Sequence, residues 1–469
     1  MVFSSLTFLY LFLPLCLICY FIAKSIKAKN IILLVFSLFF YAWGEPKYIL
    51  LLIATTFVDY ICGLLIYKYK GLKKEKLFLA LSCIITLSSL AVFKYTGFFC
   101  ENLNSVFSLN IPGVNITLPI GISFYTFQAL TYVIDVYRGN VKVQGSFYKL
   151  LLYVSMFPQL IAGPIVRYSD VEEQIENRTS SLKGVSSGIM RFSTGLLKKA
   201  IVANLAGELT AKLIGGEIGE LTTAGAWVGI TAYAIQIYFD FSGYSDMAIG
   251  LGFIFGFRFP ENFNYPYCAS SITDFWKRWH MTLTSFFRDY LYIPMGGNRR
   301  RWALNMLVVW LLTGLWHGAS WNFVLWGLYY FFFLMLEKLY IGKYILKWPP
   351  VFKHLYSLVI IVVGWAFFYF DDMAKLKYFF KAMLGMANGF VSLTQRTIII
   401  NYIVLLIIGI IASLPIVPYI KKLALKAAKP LPGRIAVDAL SIIYVAFVLF
   451  ISTAALVGNS YNPFLYFRF

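Results

Sequence analysis

The chain has 469 residues, 60% of them hydrophobic and 13% charged, with a mean hydropathy of +0.73. A soluble domain carries about a quarter charged residues and cannot hide this much apolar surface, and the same numbers exclude a disordered chain, collagen, a coiled coil and a secreted disulfide scaffold. The excess of 41 Lys+Arg over 21 Asp+Glu reads as basic loops held beside anionic lipid on the cytoplasmic side; no nucleic-acid-binding module accompanies it.

The expectation is therefore an all-α polytopic membrane protein. About 20 apolar residues cross about 30 Å of hydrocarbon, which predicts spans at 2–23, 30–43, 48–67, 77–95, 223–239, 321–337, 355–370, 398–417 and 435–456. The first run lacks a basic leader and a small-residue cleavage site, and Lys24, Lys27 and Lys29 follow it, so it reads as a span and not a signal peptide. The stretches 117–137, 148–166, 184–214, 243–257 and 303–317 are apolar but interrupted by Gly, Pro or charge. Such segments lie at membrane depth only when buried in protein or lining a wet cavity. Residues 1–469 thus read as one membrane domain, with scaffold spans at 1–95, a functional core at about 117–340, and C-terminal spans and tail at 355–469. The basic clusters at 24–29, 68–76, 299–301, 338–347 and 421–434 share one side, which puts both termini outside.

Of six cysteines, Cys16 and Cys19 form a C-x-x-C inside an apolar helix with no second pair, the pattern of packing residues and not of metal ligands. Gly184-Val-Ser-Ser-Gly188 fits a nucleophile elbow, but a polar loop precedes it where a strand is required. Gly252 and Gly256 have helix-packing spacing. Phosphate-loop, metalloprotease and dinucleotide motifs are absent, and no metal site is expected.

Three histidines remain. A helix over 304–317 would carry His317 about 20 Å from Arg299–Arg301 at about 1.5 Å per residue, past the bilayer midplane. An ionisable group there faces a cavity or pathway, or else a neutral imidazole bridges two helices. Gly314 and Gly318 beside it would let the backbone bend or a ligand approach. His280 is read on the edge of one amphipathic helix presenting Phe275, Trp276, Trp279, Leu283, Phe286, Phe287 and Tyr290, lying at the interface. His354, beside Lys353, reads as a solvated surface residue. Asp59, Asp135, Asp240 and Asp246 are either cation relays or simply paired with Arg or Lys within the bundle.

Several long stretches resemble the membrane-bound O-acyltransferase superfamily, in its bacterial alginate O-acetyltransferase-like branch. They are Leu118–Gln128, Ile134–Gly139, Phe157–Arg167, Gln236–Gly250, Phe257–Tyr267, Asp274–Asn298, Thr313–Gly327 and Asn462–Phe469. The resemblance implies a helical bundle of about 11 or more membrane helices, with re-entrant and interfacial helices around a central tunnel. It implies transfer of an acyl group, acetyl in this branch, from a cytoplasmic thioester such as acetyl-CoA or an acylated carrier protein toward an extracytoplasmic polysaccharide. His317 matches the catalytic histidine and His280 the second, more cytoplasmic one; Trp316, Asn322, Arg288, Asp289 and Asp240 are supporting candidates along the tunnel. No bound cofactor is implied. The implied partners are an extracytoplasmic hydrolase-like acetyltransferase, polysaccharide synthesis or export machinery and membrane lipid. The implied location is the bacterial cytoplasmic membrane. Neutral imidazole, with an ordinary pKa of about 6.5, can take a proton from an attacking hydroxyl near neutral pH.

Three other functions stay open on sequence. One is a teichoic-acid-type D-alanyl transferase fed by a carrier protein; another is an ion-coupled transporter or flippase using the membrane carboxylates; the last is a scaffold for a polysaccharide synthase. The tail holds Tyr461, Phe464, Tyr466, Phe467 and Phe469. It is either an interfacial aromatic anchor or a segment folded back toward His317, in which the Tyr466 hydroxyl relays the acyl group.

Overall fold

A computed structural model describes all residues except 114–115, 417–418, 421–422, 424–430, 459–463 and 466–469, and gives the backbone alone at 431–436. The described residues form helices and no strands. Among them, six helices are long and apolar enough to span a membrane: Ile26–Gly44, Ile49–Lys68, Lys73–Phe107, Trp321–Ile345, Pro350–Tyr369 and Val437–Gly458. A seventh arises if Leu393–Asn401 and Ile403–Ala412, bent by 52°, are one broken span. Phe8–Ile22 and Trp302–His317 are apolar but shorter. The expected 223–239 span lies within a longer helix, Thr223–Phe255, outside the long apolar set. These helices do not by themselves reach the expected count of eleven or more; the central part of the chain also holds shorter helices and π-helical turns at Lys198–Ala203 and Arg288–Tyr292.

The chain divides into two compact units, one of residues 1–192 with 244–261 and the other of 193–243 with 262–469. In the first, helices begin and end where the residue chemistry demands. The Ser25 hydroxyl accepts the Ala28 N–H at 3.2 Å and starts Ile26–Gly44. Gly139, at φ +75°, ends Ile122–Arg138 in a left-handed conformation open to glycine. An aromatic cluster of Phe3, Phe8, Phe12, Phe40 and Phe157 fills its interior, with ring centroids 4.9 to 6.4 Å apart.

Several carboxylates and one buried guanidinium of this unit find partners within it. Asp59 accepts from the Thr86 hydroxyl at 3.1 Å and from Ser82, and Asp135 accepts from Asn140 at 3.1 Å. Arg191 pairs with Asp246 at 2.8 Å and with Glu261, the pairing alternative raised for the membrane carboxylates. Arg178 is buried against Tyr20, Asn30 and the Phe255 carbonyl.

One sequence expectation, the packing role of Gly252 and Gly256, changes here. Gly184–Gly188 lies in the helix Leu182–Leu197, where a Cβ on Gly188 would stand 2.6 Å from the Gly250 carbonyl oxygen. The close helix crossing is therefore Gly188 on Gly250. Gly252 instead admits the Phe259 ring of the chain that follows the helix, and Gly256 turns that chain at φ +84°, so the Gly252–Gly256 spacing reflects a helix packing on its own exit loop. Cys16 is buried and Cys19, one turn on in the same helix, is exposed, both free thiols.

The second unit contains Trp302–His317 packed on Trp321–Leu336, with Pro350–Tyr369 against the latter. Gly314 and Gly327 set this hairpin's spacing. A Cβ on Gly314 would collide with the Phe323 carbonyl, and one on Gly327 with that of Trp310. A Cβ on Gly318 would strike the Phe323 ring. The glycines beside His317 therefore serve backbone approach between helices, which corrects the expectation of a bend or a ligand passage.

Candidate active site

His317 is the last residue of Trp302–His317. That helix starts directly after the basic run, as expected, and its 16 residues span about 24 Å. The imidazole is 4% exposed and sits among three rings, with centroids 4.9 Å from Trp316, 5.0 Å from Trp326 and 5.1 Å from Phe368. Those rings come from three consecutive helices. Trp326 and Phe368 lie 5.5 Å apart, so the cage supports itself without the histidine.

His280 departs from its expected setting. The chain over 272–292 is not one amphipathic helix but two short ones, Ile272–Trp276 and Met281–Phe287, followed by a π-helical turn. His280 joins them at φ +43°, ψ 53°, a left-handed conformation that costs a non-glycine residue about 1–3 kcal/mol. The surrounding bonds hold it there. Met281 N–H donates to the Asn262 carbonyl at 2.9 Å and Asn264 N–H to the Arg278 carbonyl at 2.9 Å, clamping the break to the 262–264 segment. The apolar periodicity runs through the break, which is why the sequence reads as continuous.

The clamp also fixes a tautomer. Asn262 Oδ1 accepts from the Thr282 hydroxyl at 2.9 Å and lies 3.0 Å from His280 Nδ1. An amide oxygen only accepts, so its partner Nδ1 must carry the proton, which leaves the lone pair on Nε2. Nε2 is buried and has no hydrogen-bond partner among the described residues. Burial pushes the imidazole down to about 3, so His280 is neutral across the physiological range. Its ring meets Phe241 edge-on at 4.6 Å and Trp316 at 5.9 Å. Trp316 thus touches both histidines.

The other sequence candidates divide. Trp316 touches both histidines, whereas Asn322 is buried, donates to the Phe367 carbonyl at 3.0 Å and accepts from Ser320, tying its helix to the one carrying Phe368. Asp240 is buried in an ion pair with Lys199 at 2.7 Å, next to Phe241 in sequence. Arg288 and Asp289 pair with one another at 2.6 Å, and the Arg288 side chain is 62% exposed, which sets its guanidinium at the surface and not among the buried histidines. His354 is not a free surface residue; it lies in Pro350–Tyr369 with Nδ1 3.1 Å from the Ala269 carbonyl. Tyr466 lies outside the described residues. Phe464 and Leu465 are described and both are buried, with the Phe464 ring 5.8 Å from Phe241. Asn262, Phe241, Lys199 and Phe368 went unnoticed in sequence as site residues; Asn262 stands in the Phe257–Tyr267 stretch, but nothing local marks it as a histidine partner.

The arrangement offers one caged imidazole, and 5.9 Å from the shared indole a second, neutral one with an acceptor nitrogen aimed at no protein donor among the described residues. This suits proton transfer and the holding of a hydrogen-bond donor on a substrate. Residues 141–380 match the family of membrane-bound O-acyltransferases. The whole chain is 36% identical to a probable alginate O-acetylase of Pseudomonas putida, with all of both chains covered. A peptidoglycan O-acetyltransferase of Helicobacter pylori is 35% identical over 83% of this chain and 80% of its own. A teichoic acid D-alanyltransferase of Bacillus subtilis is 29% identical over 54% of this chain and 67% of its own.

Proposed function

The chain belongs to the membrane-bound O-acyltransferase family, and on that premise we propose that this multi-pass membrane acyltransferase moves an acetyl group from a cytoplasmic thioester outward for O-acetylation of an extracytoplasmic polysaccharide. The observation that carries the reading is the pair of buried histidines bridged by Trp316. His317 is the general base. It takes the proton of the attacking hydroxyl as that oxygen bonds to the carbonyl carbon; the carbon–sulfur bond breaks, and the departing thiolate takes the proton back. The cage of Trp316, Trp326 and Phe368 excludes water that would otherwise hydrolyse the thioester. His280 Nε2, an acceptor without a protein donor among the described residues, receives an amide N–H of the pantetheine arm, a group common to acetyl-CoA and acylated carrier proteins.

Further assignments rest on the same reading. The acceptor hydroxyl is that of Tyr466, which follows the docked Phe464–Leu465 pair in sequence. A phenol has a pKa of about 10, so its ester gives up the acyl group more readily than an alkyl ester, to a hydrolase-like acetyltransferase outside. Basic loops face the cytoplasm and both termini lie outside the bacterial inner membrane.

Coenzyme A release by the purified protein supplied with acetyl-CoA, and thiol release with an acetylated carrier protein, tests the donor. Turnover of acetyl-CoA that stops in His317→Ala is expected. No thiol release from either donor would refute the reading.

A further inference from the structure

We propose that the buried Lys199–Asp240 ion pair is a latch that holds the Phe464–Leu465 segment behind His280, making both charged residues positioning residues for the acyl-transfer site; this rests on the reading of His280 and His317 as that site. Lys199 and Asp240 have side chains 6% and 1% exposed, with Nζ 2.7 Å from Oδ1. The second carboxylate oxygen serves another partner: Oδ2 accepts the backbone N–H of Leu465 at 2.8 Å. One carboxylate thus joins a helix cation to a segment 225 residues distant in sequence.

The local structure is built for this contact. Lys199 lies in the π-helical turn Lys198–Ala203, a distortion common at functional sites. Opposite, Gly243 lets the helix carrying Asp240 come close enough that a Cβ there would stand 2.8 Å from the Gly195 carbonyl and 3.1 Å from Lys198 Cβ. A buried ion pair is a poor source of stability, since desolvation offsets its attraction; what the carboxylate adds here is an acceptor oxygen placed for one backbone N–H. Because the donor is backbone, the latch does not depend on which side chain stands at 465. Its consequence lies next door: the Phe464 ring packs 5.8 Å from Phe241, whose ring meets His280 edge-on at 4.6 Å.

The test uses full-length purified protein carrying Leu465→Cys, which keeps the N–H, and follows maleimide labelling at that position by mass spectrometry. Labelling is expected to be at least tenfold faster when Asp240→Ala is added. Asp240→Asn, which keeps an acceptor oxygen, stays nearer the slow rate. The exchanged pair, Lys199→Asp with Asp240→Lys, separates a latch from a mere brace. It restores thermal stability, but the ammonium then standing at position 240 offers no acceptor, so labelling stays fast. Equal labelling with and without Asp240→Ala, or slow labelling in the exchanged pair, would overturn the latch. In a chain ended at Pro463, Asp240→Ala should add nothing to the loss of acyl transfer; a further loss of the same factor would also overturn it. Labelling needs no donor or acceptor, so it reads the latch even if the proposed reaction fails.

Discussion

Replacing Asn262 by leucine removes one atom's work at the site. Asn262 Oδ1 receives His280 Nδ1 at 3.0 Å and the Thr282 hydroxyl at 2.9 Å. Each buried neutral bond is worth about 0.5–1.5 kcal/mol net, and an orphaned buried donor costs about 1–3 kcal/mol. The fold should therefore lose about 2–4 kcal/mol in Asn262→Leu, while Met281 N–H keeps its bond to the residue 262 carbonyl. The bond that favours the Nδ1–H form contributes about 1.4 kcal/mol, which is about tenfold in tautomer ratio. Without it His280 presents an Nε2–H instead of a lone pair, and the KM for acetyl-CoA should rise about tenfold with kcat little altered. Steady-state coenzyme A release measures both. An unchanged KM in a folded Asn262→Leu protein would refute the assignment of Nε2 as the atom that holds the donor.

Other substitutions follow from the same geometry. His280→Ala should raise the donor KM more than it alters acceptor preference, read by varying acetyl-CoA and acceptor in turn. Because His280 is neutral down to a pKa of about 3 against about 6.5 unfolded, the unfolded state binds its proton first, so its contribution to stability is full above about pH 6.5 and falls away as pH drops toward about 3. His280→Gln should flatten that part of the stability–pH curve. Tyr466→Phe keeps the ring and removes the hydroxyl, and is expected to stop polysaccharide acetylation while thioester binding persists; normal acetylation would leave the segment an anchor only. Gly188→Leu would force the crossing at Gly250 apart, with an expected loss of about 1–3 kcal/mol in thermal unfolding and no specific effect on donor KM.

What the sequence discloses depends on whether the cause is local. Long apolar runs are legible because hydrophobic length needs no tertiary context, and Ile49–Lys68 and Pro350–Tyr369 stand close to where their composition put them. The His317 helix is legible for the same reason, bounded by the basic run before it and Gly318 after it. The break at His280 is not. Its apolar pattern continues through the turn, and only bonds to Asn262, 18 residues earlier, hold the left-handed backbone. The pairing of Asp240 with Lys199 and of Asp246 with Arg191 is likewise set by helix packing, so the sequence could offer only the alternatives of relay or pair. The glycines beside His317 illustrate the limit in reverse: their presence is plain in sequence, but their reason, the Phe323 backbone and ring, belongs to the neighbouring helix.

The central claim is that His317 is the base of acyl transfer. Trp326 and Phe368 of its cage contact one another directly, so His317→Ala should fold and insert normally. The decisive measurement is polysaccharide acetylation by cells carrying His317→Ala at wild-type membrane levels, alongside coenzyme A release by the purified variant. Loss of a general base costs about a hundredfold to ten-thousandfold, and both readouts are expected to fall by that much; near-normal acetylation by a stably inserted His317→Ala protein would contradict the account.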